Sequence, residues 1–190
     1  MSANLTLEPA LSRPELLAKS TLDALTDLER TLGPEALSEV RSAPIDPTLA
    51  DTAAFCAEYG VGLEESANCV VLAAKQAGEV FYVACMVLAT TRADVNGLVR
   101  RHLGVRKLSF ASMDDAVGMT GMEYGGITPI GLPQDWPVLV DRAVAESPRV
   151  VIGSGIRGSK IWLPGATLAA LPTAQVLADL GKPVDSASGA

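Results

Sequence analysis

The sequence predicts an α+β protein whose strands form a mixed or closed sheet. Apolar runs rich in β-branched residues predict strands, and amphipathic segments with helical spacing predict helices. These strands and helices do not alternate regularly, which argues against a doubly wound parallel sheet. Two apolar runs, 67–75 and 79–88, are separated only by a short segment containing Gly78, which is typical of an antiparallel hairpin.

The N-terminal segment predicts an amphipathic helix followed by a linker. Between Pro14 and Leu32 the leucines recur at mostly helical spacing, and Gly33 lies beyond the end. Residues 42–47 contain two prolines, which disfavour helix, so we interpret this segment as a linker.

The remaining elements follow from the same patterns. Basic residues at 100–102 precede Gly104, which suits the carbonyl end of a helix, and Ser112 is the predicted N-cap of the next helix. The polar residues 182–190 are expected to fray. The predicted helices are 48–59, 93–103, a helix beginning after Ser112 and a helical turn at 167–171. The predicted strands are 67–75, 79–88, 107–110, 138–144, 149–153 and 160–163. Residues 174–180 are either a last strand or a helix, and the pattern favours a strand.

The composition limits the functional classes. A length of 190 residues suits one domain with a proper core. The N-terminus lacks the pattern of a signal peptide, and no apolar run approaches the roughly 20 residues that span a bilayer. A soluble cytoplasmic protein is therefore expected. The net charge of −7 argues against broad, nonspecific nucleic-acid binding.

One segment, residues 92–107, is basic although the whole chain is acidic. Between Arg92 and Lys107, five basic residues accompany a single acidic residue, Asp94. Such a run is either a solvated helix face or a patch that contacts phosphate groups.

Cysteine and histidine usage excludes two kinds of site. Cys56, Cys69 and Cys85 are odd in number and widely spaced, which favours buried hydrophobic residues in a reducing compartment over disulfides or zinc ligands. His102 is the only histidine. A histidine metal cluster is therefore excluded within one chain, and a catalytic triad would depend on His102 alone.

Residues 153–158 read Gly-Ser-Gly-Ile-Arg-Gly and match the dinucleotide-binding pattern G-x-G-x-x-G. That pattern needs a helix that begins in the glycines, because the helix N-terminus binds the pyrophosphate. The residues that follow are β-prone and end at Pro164, so no crossover helix fits. We therefore reject a dinucleotide-binding fold.

A second glycine-rich segment, residues 125–131, reads Gly-Gly-Ile-Thr-Pro-Ile-Gly. Glycine lets the backbone approach a ligand closely, and proline restrains both itself and the preceding Thr128. Taken alone, this segment is either an ordinary turn or the wall of a binding site.

Three ordered sets of segments resemble one family, the YbaK / prolyl-tRNA synthetase-associated domains, which are aminoacyl-tRNA editing domains. The resemblance covers roughly residues 51–180. The first set is a helix running into a long strand, the second contains the basic run, and the third contains both glycine-rich segments. The matching segments are 52–61 and 64–71, then 92–94 and 103–108, then 120–121, 125–131, 139–141 and 153–158.

The resemblance implies a compact α+β fold around a largely antiparallel, barrel-like mixed sheet surrounded by helices. It divides the chain into an N-terminal helical extension with its linker, a YbaK-like editing domain and a flexible tail. These three parts are residues 1–46, 47–182 and 183–190.

The resemblance also implies hydrolysis of the ester that joins a wrong amino acid to the 3′ end of a tRNA. The implied partner is the acceptor end of an aminoacyl-tRNA, with no cofactor, metal, membrane or DNA, and a homo-oligomer is left open. The loop at 125–131 lines the pocket in this family, and the turn at 153–158 is expected near the same cavity. The implied substrate-binding residues are Gly125, Gly126, Ile127, Pro129, Gly153, Ser154 and Gly155. The residues expected at tRNA phosphates are Arg92, Arg100 and Arg101.

The chain departs from the family at the position of its catalytic lysine, where Asn68 stands. An ammonium can neutralise developing negative charge, whereas an amide can only hydrogen-bond, and this difference can cost a few kcal/mol of barrier. Lys75 lies seven residues along the same strand, roughly 23 Å if extended, so it cannot substitute. Lys160 could act from another strand, but the sequence does not place it.

Deacylation can also proceed through the neighbouring ribose hydroxyl and a bound water. In that hypothesis the two catalytic residues are Asn68, which orients the substrate, and Thr128, which contributes a hydroxyl, while the loop backbone holds the carbonyl oxygen. The alternatives are an amide that satisfies local backbone and an ordinary turn hydroxyl. Cys69 points away from Asn68 in a regular strand, so we interpret it as a core residue.

Three functions therefore stay open: a deacylase, a binding module that kept the pocket but lost the chemistry, and a regulatory or scaffold role centred on the N-terminal helix. The amino acid that is recognised would depend on how four side chains pack. These are Met119, Met122, Tyr124 and Ile127.

Overall fold

The structure is a computed structural model that describes residues 5–184. The predicted α+β class is confirmed. Within the described range the chain forms six α-helices and eleven strands in three sheets, none of which closes into a barrel. No helix in residues 5–184 is long and apolar enough to cross a membrane.

The elements alternate irregularly along the chain. The α-helices are α1 (Lys19–Leu32), α2 (Thr52–Tyr59), α3 (Arg100–Leu103), α4 (Met113–Thr120), α5 (Arg142–Ala145) and α6 (Gly165–Ala169). The strands are β1 (Glu8–Pro9), β2 (Arg41–Pro44), β3 (Ala67–Gln76), β4 (Glu79–Leu88), β5 (Thr91–Ala93), β6 (Lys107–Phe110), β7 (Val138–Asp141), β8 (Val150–Gly153), β9 (Ser159–Leu163), β10 (Ala174–Leu177) and β11 (Gly181–Pro183). Short 3₁₀ helices lie at Ala10–Ser12, Pro14–Leu16, Pro34–Leu37, Pro47–Leu49 and Leu63–Glu65, and Val95–Val99 forms a π-helical turn before α3.

The central sheet has five strands in the order β10-β7-β4-β3-β6. The predicted hairpin is confirmed as β3 and β4, which pair antiparallel along their full length. Its turn residues, Ala77 and Gly78, have φ angles of 51° and 92°, as the tight turns that suit twisted strands require. β7 is parallel to both β4 and β10, which makes the sheet mixed.

The second sheet has the order β1-β2-β9-β8 and recruits the N-terminal segment. The interpretation of 42–47 as a linker is corrected here, because β2 pairs antiparallel with β9. β1 reaches only Arg41 and Ser42, which leaves Pro44 at an edge of the sheet, where proline is tolerated.

Helix α1 joins the two larger sheets through one core. Leu25 and Leu28 belong to the same buried cluster as Val138 and Val140 of β7 and Ile161 of β9. The predicted amphipathic helix is therefore confirmed from Lys19 onward, with its apolar face buried against the sheets, whereas Pro14–Leu16 forms a separate 3₁₀ helix. The helix ends at Gly33, whose φ of 89° suits glycine.

Two further expectations need correction at the C-terminal end. The predicted strand 138–144 ends at Asp141, since the alanine-rich residues that follow form α5 and alanine favours helix. Lys182 and Pro183, which were expected to fray, belong to β11 and pair with β5. The last part of the predicted tail, 185–190, lies outside the described residues.

Candidate functional site

A cavity of about 220 Å³ lies where the start of β3 meets the ends of β8 and β9. Ser66 forms a parallel bridge with Val151, so the chain just before β3 runs beside β8. Residues 125–131, called the glycine loop from here on, cover the cavity from one side. The remaining wall comes from residues 50–52 before and within α2, residues 66–69, residues 151–153 and Lys160.

The glycine loop packs directly on the glycine turn, defined as residues 153–158. The N–H of Gly155 donates to the carbonyl of Gly126 at 2.7 Å, and the carbonyl of Gly155 accepts from Glu123 at 2.8 Å. A Cβ on Gly126 would lie 2.6 Å from the carbonyl carbon of Ile156, and a Cβ on Gly153 would collide with the carbonyl of Gly126. Both glycines are therefore required by backbone contact.

Arg157 fixes the outer rim of this arrangement. Its N–H donates to Glu123 Oε2 at 2.7 Å, and its guanidinium donates to the carbonyls of Tyr124 at 2.9 Å and Pro47 at 3.2 Å. Arg157 thus links the glycine turn to the residues just before the glycine loop and to the segment before α2. The resemblance implied that the glycine turn lies near the cavity, and its first residue, Gly153, does line the cavity.

Asn68 faces the cavity from the second position of β3. The hydroxyl of Thr52 donates to Asn68 Oδ1 at 2.7 Å, which orients the amide. The Nδ2 group is then the end of the side chain that is available to donate to a ligand.

Lys160 lines the same cavity and is the second residue of the buried strand β9. Its register partner on β8 is Gly153, so both residues face the same side of the sheet. The Nζ atom donates to the carbonyl of Ala50 at 2.9 Å and lies 5.4 Å from the centre of the Phe55 ring. Burial is the main reason why the pKa of Lys160 is lowered.

The structure brings four of the predicted site residues to the cavity wall, namely Asn68, Gly125, Ile127 and Gly153. The other predicted members of the loop and turn do not line it: Gly126, Thr128, Pro129, Ser154 and Gly155.

Thr128 and Ser154 are both fully buried behind the wall. The N–H of Thr128 contacts Met122 Sδ at 3.5 Å, and its hydroxyl has no hydrogen-bond partner within the described residues. The Ser154 hydroxyl lies 2.6 Å from that of Ser159, inside the glycine turn. The catalytic role of Thr128 therefore stays a prediction, and the Thr128 side chain does not line the cavity.

The remaining sulfur and histidine predictions have mixed outcomes. Cys69 packs partly on the core as expected, but it also lines the cavity beside Asn68. Burial strongly raises the pKa of the Cys69 thiol, so it stays protonated and is a poor nucleophile. His102 is exposed on α3, where its Nε2 lies 2.7 Å from Gln175 Oε1, away from the cavity wall.

Of the four side chains expected to set the pocket size, two line the cavity and two do not. Tyr124 and Ile127 line the cavity, whereas Met122 is buried beneath the loop and Met119 is exposed on α4. The wall otherwise consists of small and medium side chains. A cavity of about 220 Å³ is smaller than the roughly 300–1,000 Å³ of typical drug-sized sites.

A basic groove of about 480 Å³ lies at the other end of β3, lined by Lys75, Arg100, Arg106 and Lys107. Lys75 is the register partner of Lys107, although like charges that face each other across strands repel. Within the described residues no carboxylate lines this groove. The groove contains Arg100 but neither of the other arginines predicted to contact tRNA.

Those other arginines are exposed outside the groove. Arg92 lies on β5 opposite Lys182 of β11, and Arg101 lies beside Arg100 on α3. The sequence signal of a basic run was therefore correct about local charge. It missed Lys75, because only the pairing of β3 with β6 brings that side chain to the run.

Sequence reasoning also could not place three residues of the cavity wall. These residues are Ala50, Thr52 and Lys160. They reach the wall only because the folded chain brings the start of α2 and strand β9 to the start of β3. The signal that could have pointed to Lys160 is a lysine inside a strand that is otherwise apolar after its first residue. The structure buries every residue of that strand, and buried lysines are rare.

Comparisons with known proteins agree with this architecture. The model of a family described as the aminoacyl-tRNA editing domain matches residues 46–171. Among solved structures, a protein described as a candidate trans-editing enzyme for prolyl tRNA synthetase is 20% identical with a TM-score of 0.69, covering 87% of this chain and 99% of that chain.

Two other solved structures are similar to the same extent. One, from work on epitope backbone grafting onto scaffold proteins by computational design, is 21% identical with a TM-score of 0.71, covering 87% of this chain and 97% of that chain. Another, a hypothetical protein, is 22% identical with a TM-score of 0.68, covering 84% and 99%. At these identities the likeness concerns the fold alone.

Proposed function

Since the chain belongs to the aminoacyl-tRNA editing domain family, we propose that it is a trans-editing deacylase that hydrolyses the ester of a mischarged tRNA. The observation that carries this proposal is the small cavity between the glycine loop and Asn68. Its small volume suits an aminoacyl group, with the terminal ribose at the opening.

The backbone of the glycine loop supplies donors for such a substrate. Within the described residues, the N–H groups of Gly125 and Ile127 donate to no protein acceptor, and both residues line the cavity. Backbone N–H groups held in this way can bind the carbonyl oxygen of an ester. The Asn68 amide donates from the opposite wall, and a water then attacks the carbonyl carbon beside the ribose hydroxyl.

We predict that the wild-type protein releases amino acid from at least one mischarged tRNA and that esters of small amino acids are cleaved fastest. The measurement is loss of the labelled ester over time, for a panel of tRNAs charged with small and large amino acids. Buffer alone gives the spontaneous rate for each pair. Failure of the protein to exceed that rate for any pair would remove the deacylase.

A second candidate is a binding module that holds an aminoacyl-tRNA without cutting it. The observation that favours it is the amide of Asn68, which cannot supply the charge of a lysine. This candidate requires binding of a non-hydrolysable aminoacyl analogue without turnover, and a gain of activity in Asn68→Lys. An active wild-type protein rules it out.

We further propose that tRNA phosphates contact the basic groove, together with the exposed arginines Arg92 and Arg101. Asn68 and Lys75 are seven residues apart on β3, so the groove lies about 23 Å from the ester site. A backbone that leads away from the cavity along this face would meet the groove cations in succession.

Neutralising two groove cations should weaken tRNA binding for every tRNA alike. We expect Arg100→Gln/Lys107→Gln to lower the slope of log affinity against log salt by roughly 2, because each phosphate contact contributes about one unit. Binding would be measured at several salt concentrations. Arg142→Gln, on the exposed face of α5, is the matched control, and an equal slope in all three proteins would place tRNA elsewhere.

A further inference from the structure

The buried ammonium of Lys160 has no obvious structural reason to be in the cavity wall. The residue is only 7% exposed, and no ion pair within 4 Å involves it in the described part of the chain. Burying an unpaired charge is costly, so natural proteins place one where it acts on a ligand or a reaction.

The hydrogen-bonding capacity of this ammonium is only partly used. An ammonium has three N–H donors, and the carbonyl of Ala50 accepts one of them. The Phe55 ring supports the charge from a second side. The remaining donors belong to a group that lines the same cavity as Asn68 and the glycine loop.

The absence of a side chain at Gly153 makes this group accessible from the glycine loop. Gly153 is the cross-strand partner of Lys160, and a Cβ there would point at the carbonyls of Gly126 and Ile127. The loop therefore lies over the face of the sheet from which Lys160 projects. Because the loop packs on Gly153, an acyl group that the loop backbone holds would lie close to the ammonium of Lys160.

We propose that Lys160 is a catalytic residue, whose ammonium donates a hydrogen bond to the ester carbonyl oxygen and stabilises the oxyanion that forms on it. This inference rests on the proposed deacylase function. It means that the positively charged residue of the site lies on β9 and not at the position of Asn68 on β3. Asn68 then orients the substrate from β3, which lines the same cavity.

The step balances without a further reagent. The oxygen of a water molecule forms a bond to the carbonyl carbon, and the π electrons move to the carbonyl oxygen, where Lys160 donates. Collapse of the tetrahedral species re-forms the C=O bond and breaks the bond to the ribose 3′ oxygen. That oxygen takes up a proton from the attacking water, and the amino acid leaves as its carboxylate after loss of the second proton.

The surroundings of Lys160 shift its pKa, so the rate of catalysed hydrolysis should depend on pH. Burial lowers the pKa of the ammonium, Cys56 and Asp51 raise it, and Arg157 lowers it. The protonated form is the one that donates to an oxyanion. Catalysed hydrolysis should therefore fall as the pH rises through this lowered pKa, after subtraction of the spontaneous rate.

The test compares Lys160→Met and Lys160→Arg with the wild type on the best ester of the panel. Removing one oxyanion donor typically costs about 10²–10³ in kcat, so we expect a loss of that size in Lys160→Met. Lys160→Arg keeps a positive charge across the pH range and should retain more activity without the alkaline fall. Lys19→Met, an exposed lysine on α1, is the matched control and should keep wild-type activity.

A purely structural role would give a different result. Thermal unfolding and binding of an amide-linked aminoacyl-adenosine analogue report whether each variant is folded and still has its pocket. Adding Asn68→Lys to Lys160→Met places an ammonium at another position of the same cavity, and recovery of at least tenfold would support an electrostatic role. Wild-type kcat and an unchanged pH profile in Lys160→Met would overturn the proposal.

The outcome for Lys160 can be separated from that for the proposed function. An active wild type with an active Lys160→Met refutes only the role of Lys160. If the wild type cleaves no ester, the deacylase fails and the catalytic role of Lys160 fails with it. Weaker analogue binding by Lys160→Met would then support its contact with the acyl carbonyl, whereas equal affinity would overturn that contact as well.

Discussion

Deletion of residues 1–45 is expected to abolish the cooperative folded state. The deletion removes β1 and β2 from the second sheet and strips α1 from the core that joins both larger sheets. The lost apolar side chains contribute about 1.5–3 kcal/mol each, so five of them approach the 5–15 kcal/mol that stabilises a typical domain. The five are Leu17, Leu25, Leu28, Leu37 and Val40, all buried in one cluster.

The measurement is thermal or denaturant unfolding followed by circular dichroism. Two point variants on the same helix provide a matched pair. Leu25→Ala empties a fully buried position and should cost about 2–5 kcal/mol, whereas Leu32→Ala changes a side chain that is 51% exposed and should stay within about 0.5 kcal/mol. A truncated protein with the wild-type midpoint would contradict the expectation.

These contacts also bear on the predicted division of the chain. The family model begins at residue 46, yet the second sheet is incomplete without β2, and the glycine turn rests on the N-terminal segment. The N–H of Ala18 donates to the carbonyl of Ser154 at 3.0 Å. We propose that residues 5–184 unfold as one cooperative unit, which leaves little room for an N-terminal helix with a separate scaffold role.

The parts of the fold that the sequence predicted best are those set by local pattern. The β3–β4 hairpin needed only two apolar runs and a turn with Gly78, and α4 needed only Ser112, whose hydroxyl accepts from the N–H of Asp115 at 3.0 Å. β2 was missed because Pro44 at its end and Pro47 just beyond it suggested a linker. A non-local partner, β9, decides its conformation.

The candidate site follows the same division. The glycine loop and Asn68 stood out by residue type and order, and both reach the cavity. The sequence could not distinguish which loop residues form the wall and which lie behind it, so Thr128 was assigned a role that its burial does not favour. Lys160 could not be placed, because its position depends on the register of β9 with β8 and on the bridge between Ser66 and Val151.

Replacement of Gly126 by alanine should damage the site, because the added methyl group forces the glycine loop away from the glycine turn. The new Cβ would lie 2.6 Å from both the carbonyl carbon and the oxygen of Ile156. These are backbone atoms, which cannot move aside cheaply, so the loop must shift away from the turn. Overpacking of this kind costs about 1–3 kcal/mol.

The shift should reach the chemistry through the hydrogen bond between Gly155 and the carbonyl of Gly126. Once that bond is lost, the N–H groups of the glycine loop no longer hold a fixed position over the cavity. A displacement of about 1 Å can cost roughly a hundredfold in rate, so Gly126→Ala should lower kcat by at least about tenfold on the best ester.

Gly118→Ala is the control, because it adds the same methyl group at a helical position where, among the described residues, the new Cβ would meet nothing within 4 Å beyond its chain neighbours and the backbone of its own helix. Alanine favours a helix over glycine by about 1 kcal/mol, so this variant should be as stable as the wild type or more so, with unchanged activity. Unfolding midpoints and deacylation rates would be measured side by side. If both variants behave like the wild type, the glycine loop is not held by the glycine turn, and the cavity cannot depend on their contact.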